Sequence, residues 1–497
     1  MTIEKLAEKT STYLDSKDVE SIKKAYQLAS SVHQNIKRGT GEDYIDHPLE
    51  VAYYLAENEL DRATIIAALL HDAEEEKPEI KNTIKKEFGQ EVAELVEGVT
   101  KLGKIKIKRS WFFPLNILQA RQQKELGFER HVESLRKMLL AMTKDIRVVL
   151  IKFADRLHNM KTLRGVRSEK RERIARETLE IYSPLAYRLG MGKIKGELED
   201  LAFPYAYPKE HAQLKKILSH KFEEKEKYLK KVMALLGTKL KNEHIKAEIH
   251  GRRKHLYSLY KKLLRYDNNL SKIYDLVAIR IIVENVEDCY KTLGLIHAMW
   301  KPLIGRIKDY IALPKPNGYQ SLHTTIFGPD GEIIEIQIRT REMHERAENG
   351  VAAHWHYADK KHDGKAIMAP VGKNQTEWLK ELEHWQEGLK DARELNEALK
   401  LDFFRDRIFV FTPGGDVSDL PINACPVDFA YSIHTEVGQN CQGARVNGKI
   451  VKLNYPLKNG DIVEIITKKS SAPKRDWLKF VKTSRAKGKI RSYFEQA

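Results

Sequence analysis

Near residue 245 the hydrophobic period of this sequence changes, and no fold with one core accommodates both halves. From residue 1 to about 200, apolar residues recur three and four apart, with Gly and Pro sparse inside the runs, which predicts a nearly all-helical region. IDHPLEVAYYLAE places Pro48 in the first turn of one helix, where its missing N–H costs nothing. PKEHAQLKKILSHKFEEKEKYLKKVMALLGTKL reads as a long charged connecting helix. Then come the β-branched runs IYDLVAIRIIV and EIIEIQIRT, with helical patterns around them and the turn clusters PKPNGY and GPDGE, predicting an α/β or α+β domain over about 240–360. A polar linker follows, and then a helix with Trp378, Leu379, Leu382, Trp385 and Leu389 on one packing face. From about 404 to 467, RIFVFTPGGDV, GARVNGKIV and DIVEIIT predict a small β-rich unit. A chain of 497 residues is long enough for several such cores.

Composition narrows the chemistry. Lys and Arg total 87 against 70 Asp and Glu, a net charge of +17 that favours phosphate-bearing partners such as nucleotides, RNA or the ribosome. Only three cysteines occur, Cys289, Cys425 and Cys441, none in C-x-x-C spacing, which argues against a disulfide framework or a zinc knuckle. The start lacks the apolar stretch of a signal peptide, and the longest clean apolar run, Ile65 to Leu70, is too short to span a bilayer. The expectation is a cytoplasmic protein with no membrane partner.

The helical half concentrates metal-ligand types. His47, the adjacent His71 and Asp72, and Asp155 together suit a divalent ion of borderline hardness such as Mn²⁺ better than Ca²⁺. In AALLHDAEEEK, read as one helix, His71 and Asp72 sit roughly 100° apart and both can lean toward one ion. Asp72 shares a face with Glu75 and Glu76, whose carboxylates can hold and polarise a metal-bound water. In DRLHNMKT, Asp155, His158, Asn159 and Thr162 form one polar helical face. A bare His-Asp pair is usually chance and a glutamate run is usually a solvated helix end. Taken together, YIDHP, LLHDAEEE, VEGVTKL and DIRVVLIKFADRLHNMKTL resemble the HD hydrolase domain of the RelA/SpoT homologue family, over most of residues 20–200. The resemblance implies Mn²⁺-dependent removal of the 3′-pyrophosphate from (p)ppGpp. It implies His47, His71, Asp72 and Asp155 as metal ligands and Glu75 and Glu76 as the water-activating pair. It implies Arg38 on substrate phosphate, and Asn159 and Thr162 on the nucleotide. Two departures stand out: the family's usual Glu-Asp is Glu75-Glu76 here, and SWFFPLNILQARQQKELGFE, from Ser110, lengthens the usual connection and adds Trp111, Phe112 and Phe113. We expect that insertion to pack on the helical surface; a regulatory or dimer contact is the alternative.

In the central region, GRRKHLYSLYKKLLR holds six basic residues and no acid, and sets Arg252 and Lys254 before a helix carrying Ser258 and Lys262, a credible triphosphate cradle. A basic RNA-facing helix would look similar. In EIIEIQIRT, Ile334, Ile336 and Ile338 alternate with Glu335, Gln337 and Arg339, one face aliphatic and one functional. Asp275 and Glu335 can share Mg²⁺ and deprotonate a hydroxyl. RIKDYIALPKPNGYQSLHTT adds Arg306, Lys308, Lys315, Tyr319, Gln320 and His323, a turn tyrosine for stacking a base among lysines for phosphates.

This region, about 240–357, resembles the (p)ppGpp synthetase domain of the same family, and RIKD resembles the RFKD signature of its bifunctional members. The resemblance implies transfer of pyrophosphate from ATP to the 3′-OH of GDP or GTP. It implies Asp275 on Mg²⁺, with Glu335 binding it too or acting as base. Arg252, Lys254, Ser258, Lys262 and Arg280 would hold ATP phosphates. Lys308, Lys315, Tyr319, Gln320 and His323 would hold the guanine nucleotide, with Tyr319 stacked on guanine.

The β-rich unit resembles a TGS domain, with His434 where ribosome-associated relatives meet the end of deacylated tRNA; an interaction module with no RNA role is the alternative. RDWLKFVKTSRAKGKIRSYF reads as one basic amphipathic helix. Longer members of the family continue further, so the resemblance implies a C-terminally short form.

The expected architecture is multidomain. An all-α HD-type hydrolase domain (1–195) leads through a helical connector (196–239) to an α/β nucleotidyltransferase-like synthetase domain (240–360). A linker with an amphipathic helix (361–402), a small β-grasp TGS domain (403–467) and the start of a basic helical region (468–497) follow. The leading reading is an enzyme that makes and degrades (p)ppGpp, using Mn²⁺ for hydrolysis and Mg²⁺ for synthesis, with ATP, GDP/GTP and (p)ppGpp as small-molecule partners and tRNA or the ribosome as a further partner through TGS. The alternatives are a synthetase with an impaired hydrolase site, and a non-catalytic RNA- or ribosome-binding regulator.

Overall fold

Apolar helices make the first core. Every residue from Ala63 to Leu70 is buried, so the Arg62–Leu70 helix is apolar all round and runs through the middle of the bundle. Asp61 caps its start by accepting Thr64 N at 3.0 Å, and Asp15 caps the Ser16–Val32 helix through Asp18 N at 2.8 Å. The Asp46–Glu57, Gln90–Gly103 and Arg147–Lys161 helices pack around this centre. This computed structural model describes residues 1–103, 137–138, 141–142, 144–265, 276–315, 317–354, 407–468 and 470–496. Asp275, the 110–127 segment and the Trp378–Leu389 stripe lie outside the described residues. The described residues form two compact units, one up to residue 354 and one from 407 onward.

The AALLHDAEEEK stretch is not one helix. The Arg62–Leu70 helix stops, His71 and Asp72 make a turn, and a short Ala73–Glu76 helix follows. Thr100 Oγ1 donates to the His71 carbonyl at 3.4 Å, and Glu75 N takes the Asp72 carbonyl at 3.1 Å, so the regular ladder breaks at that point.

The second core of this unit is a five-stranded sheet in the order β1-β2-β5-β4-β3. The strands are β1 (Ala247–Arg253), β2 (Val277–Val283), β3 (Lys308–Asp309), β4 (Leu322–Phe327) and β5 (Ile333–Thr340). Only β2 and β5 are parallel, joined through the Val286–Met299 helix and the β3–β4 pair. Ile279, Ile281, Ile334, Ile336 and Ile338 bury one face. The long Pro208–Asn242 helix covers that face with Leu214, Leu218, Leu229, Val232, Leu236 and Leu240. This connecting helix therefore does more than join: its apolar stripe is part of the sheet's core, and its charge lies along the other side.

The other face is the functional one, and register fixes which residues share it. Ala278 pairs with Glu335 and Arg280 with Gln337 across β2–β5, while His323 pairs with Gln337 across β4–β5. Arg252 sits opposite Ala278 on β1, and Lys308 opposite His323 on β3. A slip of one residue would turn this whole set into the core.

The second unit pairs β6 (Arg407–Phe411) with β7 (Val417–Pro421), and sets β8 (Cys441–Val446) between β9 (Lys449–Val451) and β10 (Val463–Thr467). The Pro426–Ile433 helix packs on these strands in the manner of a β-grasp. Asn447 and Gly448, both at positive φ, close the β8–β9 hairpin. RDWLKFVKTSRAKGKIRSYF is a 3₁₀ turn, Arg475–Lys479, then a separate helix, Ser484–Gln496. The break has a cause: Asp428 Oδ1 accepts the N–H groups of Lys482 (2.9 Å) and Thr483 (2.7 Å) and the Thr483 hydroxyl (2.8 Å). Trp477, Val481, Ala486 and Ile490 are thereby buried against the Pro426–Ile433 helix. Among the described residues no helix is long and apolar enough to cross a membrane.

Candidate active sites

The metal-ligand types of the helical region converge. His47 Nε2 lies 3.3 Å from Asp155 Oδ1 and 3.7 Å from Asp72 Oδ2, and His71 Nε2 lies 3.3 Å from Asp72 Oδ1. Donor atoms of His47, His71 and Asp155 all fall within 4.8 Å of one another and are buried. The two imidazoles are set in the tautomer that a metal needs. His71 Nδ1 donates to the Ala68 carbonyl at 2.7 Å, which leaves Nε2 a lone pair, and that buried Nε2 makes no hydrogen bond. His47 Nδ1 meets His158 Nδ1 at 2.9 Å, and Arg38 Nη1 meets the same nitrogen at 3.3 Å. The guanidinium can only donate, so His158 Nδ1 accepts and His47 Nδ1 carries the proton, turning the His47 Nε2 lone pair toward the carboxylates. Burial holds the His158 pKa down to about 3, helped by His47 and Arg38, and burial also lowers that of His47. Burial works against an ionised Asp155, but Lys152, at 2.6 Å, and then His47 hold it well below the usual carboxylate range. Two imidazoles and two carboxylates around a buried His71 Nε2 that makes no hydrogen bond form a candidate divalent-metal site.

The remaining predicted residues surround it. Arg38 Nη2 donates to Asn159 Oδ1 at 2.8 Å, and Asn159 Nδ2 donates to Asp155 Oδ1, so this basic group is held at the cluster. Thr162 turns its hydroxyl to the His158 carbonyl at 3.0 Å. Glu75 and Glu76 are exposed just past Asp72. Glu76 is near enough to Tyr44 to help keep its phenol protonated, behind burial and the Asp72 charge. Sequence reasoning missed Tyr44, whose hydroxyl donates to Asp72 Oδ2 at 2.9 Å, and Lys152, the partner of Asp155. Lys152 stands three residues before Asp155 on one helix, a spacing the sequence offered; Tyr44 reaches Asp72 from a turn, and no local spacing signals it.

The functional face of the sheet opens into a cavity of about 240 Å³. Arg252, Lys254, Ser258, Lys315, Tyr319, His323 and Glu335 line it, as the sequence predicts. Lys262, Arg280, Lys308 and Gln320 do not reach its lining. Arg280 stands just behind, its Nη1 at 3.0 Å from Glu348, and Gln320 gives its amide to the Ile311 carbonyl at 3.3 Å. Glu335 sits at the end of a relay. The Tyr319 hydroxyl donates to His323 Nε2 at 2.8 Å, and His323 Nδ1 faces Glu335 Oε1 at 3.4 Å, while Gln337 donates to the same oxygen at 2.9 Å. Burial pushes the Glu335 pKa up, but these donors and the Lys254 charge outweigh it and bring it to about 2. Lys315 Nζ lies 4.6 Å from the Tyr310 ring centre and 5.2 Å from that of Tyr319, a cationic and aromatic wall.

Arg339, 1% exposed and already on the functional face read from the sequence, also lines the cavity, and Glu348, Asn317 and Lys195 do so without having been singled out. Arg280 and Arg339 share the one carboxylate of Glu348, and the Nε of each is buried without a hydrogen bond. Burial, then the Arg339 charge, draws the Arg280 pKa down to about 10. This crowd of cations is a setting for phosphate. Asn317 comes from the Lys315–Tyr319 turn and donates to the Tyr187 carbonyl at 2.9 Å. Gly350, at φ +55°, lies so close to Leu189 O that a Cβ there would collide with it.

Helix Gly192–Ala206 contributes Glu199, fully buried. Its carboxylate takes Lys195 Nζ at 2.7 Å, Lys261 Nζ at 2.9 Å, Ser258 Oγ at 2.9 Å and Ser183 Oγ at 3.2 Å. Burial opposes the charge, yet Lys195 and Lys261 lower its pKa to about 2. A depressed carboxylate stabilises the fold fully above its unfolded pKa and loses that contribution as pH falls through the folded one. Against an unfolded pKa of about 4.3, the difference is about 3 kcal/mol. The stability gap between the parent and Glu199→Gln, followed by denaturant titration, should therefore narrow from pH 5 toward pH 2. A gap independent of pH would show that the charge of Glu199 is not its source.

In the second unit His434 is exposed, and its Nδ1 accepts Glu436 N at 3.3 Å at the start of the Thr435–Gln439 helix.

Three known families match in order along the chain: the HD domain over residues 25–192, the region found in RelA / SpoT proteins over 251–362, and the TGS domain over 408–467. The chain is 49% identical over 98% of its length to a GTP pyrophosphokinase of Myxococcus xanthus. It is 47% identical over 96% of its length to a guanosine-3′,5′-bis(diphosphate) 3′-pyrophosphohydrolase of Aquifex aeolicus. It is 44% identical over 98% of its length to the bifunctional (p)ppGpp synthase/hydrolase SpoT of Escherichia coli. It spans 62%, 65% and 66% of the length of these relatives, respectively.

Proposed function

This chain belongs to the RelA/SpoT homologue family, and we propose that it both makes and degrades (p)ppGpp. The observation that carries this reading is the coexistence, in one chain, of the buried His71 Nε2 lone pair among carboxylates and the cation-rich cavity around Glu335.

For hydrolysis, His47, His71, Asp72 and Asp155 would hold Mn²⁺, the ion that suits two imidazoles and two carboxylates. When bound, such an ion lowers the pKa of water and polarises a phosphoryl oxygen. Tyr44 orients Asp72, and His158 and the Ala68 carbonyl fix the two imidazoles. Arg38, steadied by Asn159, meets the 3′-pyrophosphate, and the exposed Glu75 and Glu76 take up the proton of the attacking water. The products are GDP or GTP and pyrophosphate.

For synthesis, Arg252, Lys254 and Ser258 take the ATP phosphates, with Arg280 and Arg339 behind them. Lys315, Tyr319 and His323 receive GDP or GTP, and Tyr319 stacks on guanine. Asp275 would hold Mg²⁺, which supplies charge neutralisation on the transferred pyrophosphate. Glu335, held ionised by its donors, would bind the ion too or take the proton of the attacking 3′-hydroxyl. The products are (p)ppGpp and AMP. On the second unit, the exposed His434 is the residue we assign to tRNA.

The test uses the chain in two assays. With ATP, GDP and Mg²⁺ it should form AMP and ppGpp in equal amounts. With ppGpp and Mn²⁺ it should release GDP and pyrophosphate. Synthesis without hydrolysis would reduce the protein to a synthetase, and steep salt-dependent RNA binding with neither activity would make it a binding protein.

A further inference from the structure

The cavity of the sheet has a wall that the sheet does not supply. Gly190, Gly192 and Lys195, before or within the Gly192–Ala206 helix, line the cavity together with Arg252, Lys254 and Ser258. That helix packs against the Ser168–Glu177 and Arg147–Lys161 helices, so it belongs to the helical core that carries Asp155. Lys195 also lies outside residues 251–362, where the chain matches the RelA / SpoT region.

We propose that Lys195 is a phosphate-binding residue of the synthetase site, lent to it by the helical core and aimed by Glu199. The inference rests on the pyrophosphokinase reading above. Lys195 Nζ lies 2.7 Å from Glu199 Oε2 and 3.1 Å from Ser258 Oγ. An ammonium has three N–H donors, and these two contacts take two, leaving one for a ligand in the cavity. Glu199 is shared by two ammonium groups, Lys195 and Lys261, so the cluster carries one positive charge more than its carboxylate cancels. The surplus stands beside Ser258, which the reading above assigns to the ATP phosphates. The ligand chemistry is therefore the phosphate chain of a nucleoside triphosphate. Glu199 acts through Lys195 and Ser258 and is a positioning residue.

A buried ion pair that only joins two cores would give the same distances, and the two roles separate in kinetics. A charge-assisted hydrogen bond to phosphate corresponds to about ten- to a hundred-fold in affinity. In Lys195→Met, the KM for ATP should rise by about that factor. The KM for GDP, and ppGpp hydrolysis by the same preparation, should stay near the parent values. Lys195→Arg should recover most of the ATP affinity, because it restores the cation. In Glu199→Gln the ATP KM should rise by less, with hydrolysis again kept. An unchanged ATP KM in Lys195→Met, with the parent forming AMP, would overturn this assignment alone. So would parallel loss of hydrolysis and synthesis, the mark of a purely structural joint. A parent chain that forms no AMP would overturn the pyrophosphokinase reading and this assignment together.

Discussion

Asp72→Asn should abolish Mn²⁺-dependent release of pyrophosphate from ppGpp, by about a thousand-fold or more, and leave ATP-dependent synthesis intact. The substitution keeps shape and removes charge. Asp72 faces both candidate imidazoles, at 3.7 Å from His47 Nε2 and 3.3 Å from His71 Nε2, and its side chain is 21% exposed. Asp155 is the poorer probe, because its loss strands Lys152, whose ammonium is paired with it at 2.6 Å in a buried setting. Removing one partner of such a pair costs about 3–5 kcal/mol and would mix unfolding with lost chemistry. Asp72 has only the Tyr44 hydroxyl to disappoint, and an asparagine carbonyl can still accept it. Calorimetric Mn²⁺ titration should show weakened binding alongside the lost rate. Hydrolysis within about ten-fold of the parent would mean that Asp72 is not a ligand, and that the cluster is a polar core.

The candidate ligands were legible because their identity is local and chemical. His47, His71, Asp72 and Asp155 are residue types that bind a borderline ion, and their gathering in an apolar helical bundle is what singles them out. What orients them was not legible. Tyr44 reads as an ordinary helix-entry aromatic, and His71's tautomer depends on a backbone carbonyl, Ala68 O, that no side-chain pattern reveals. The alternation of Ile334, Ile336 and Ile338 with Glu335, Gln337 and Arg339 separated the buried face of β5 from the face that lines the cavity. It could not say that β2 would lie parallel beside it, which is what sets Arg280 opposite Gln337. The Pro208–Asn242 helix was legible as a connector charged on one side, but not as the element whose leucines close the sheet's core, because the sequence does not say which face it packs on. Lys195 and Glu199 were invisible because their partners, Ser258 and Lys261, lie more than fifty residues along the chain.

The complementary experiment is Glu335→Gln, which should stop formation of AMP and ppGpp, by about a thousand-fold or more, while ppGpp hydrolysis stays near the parent rate. Glutamine keeps the volume beside Ala278 and can still accept from His323 and Gln337, so the relay from Tyr319 survives and the fold is not at issue. What disappears is a negative charge beside Arg252, Lys254 and Lys315, while the cavity's other carboxylate, Glu348, is taken up by Arg280 and Arg339. If that charge holds the ion, its loss removes the counterweight to the transferred pyrophosphate. The pH profile then separates ligand from base. With the Glu335 pKa near 2, its carboxylate stays ionised down to about pH 3, so an acid limb of the parent's synthesis between pH 5 and 7 must belong to another group. Raising Mg²⁺ should recover part of the activity in Glu335→Asp, where the charge persists on a shorter arm, and none in Glu335→Gln. Equal recovery of both variants by Mg²⁺ would remove Glu335 from the ion. A Glu335→Gln protein that keeps the parent's rate of synthesis would place the reacting centre elsewhere in the cavity.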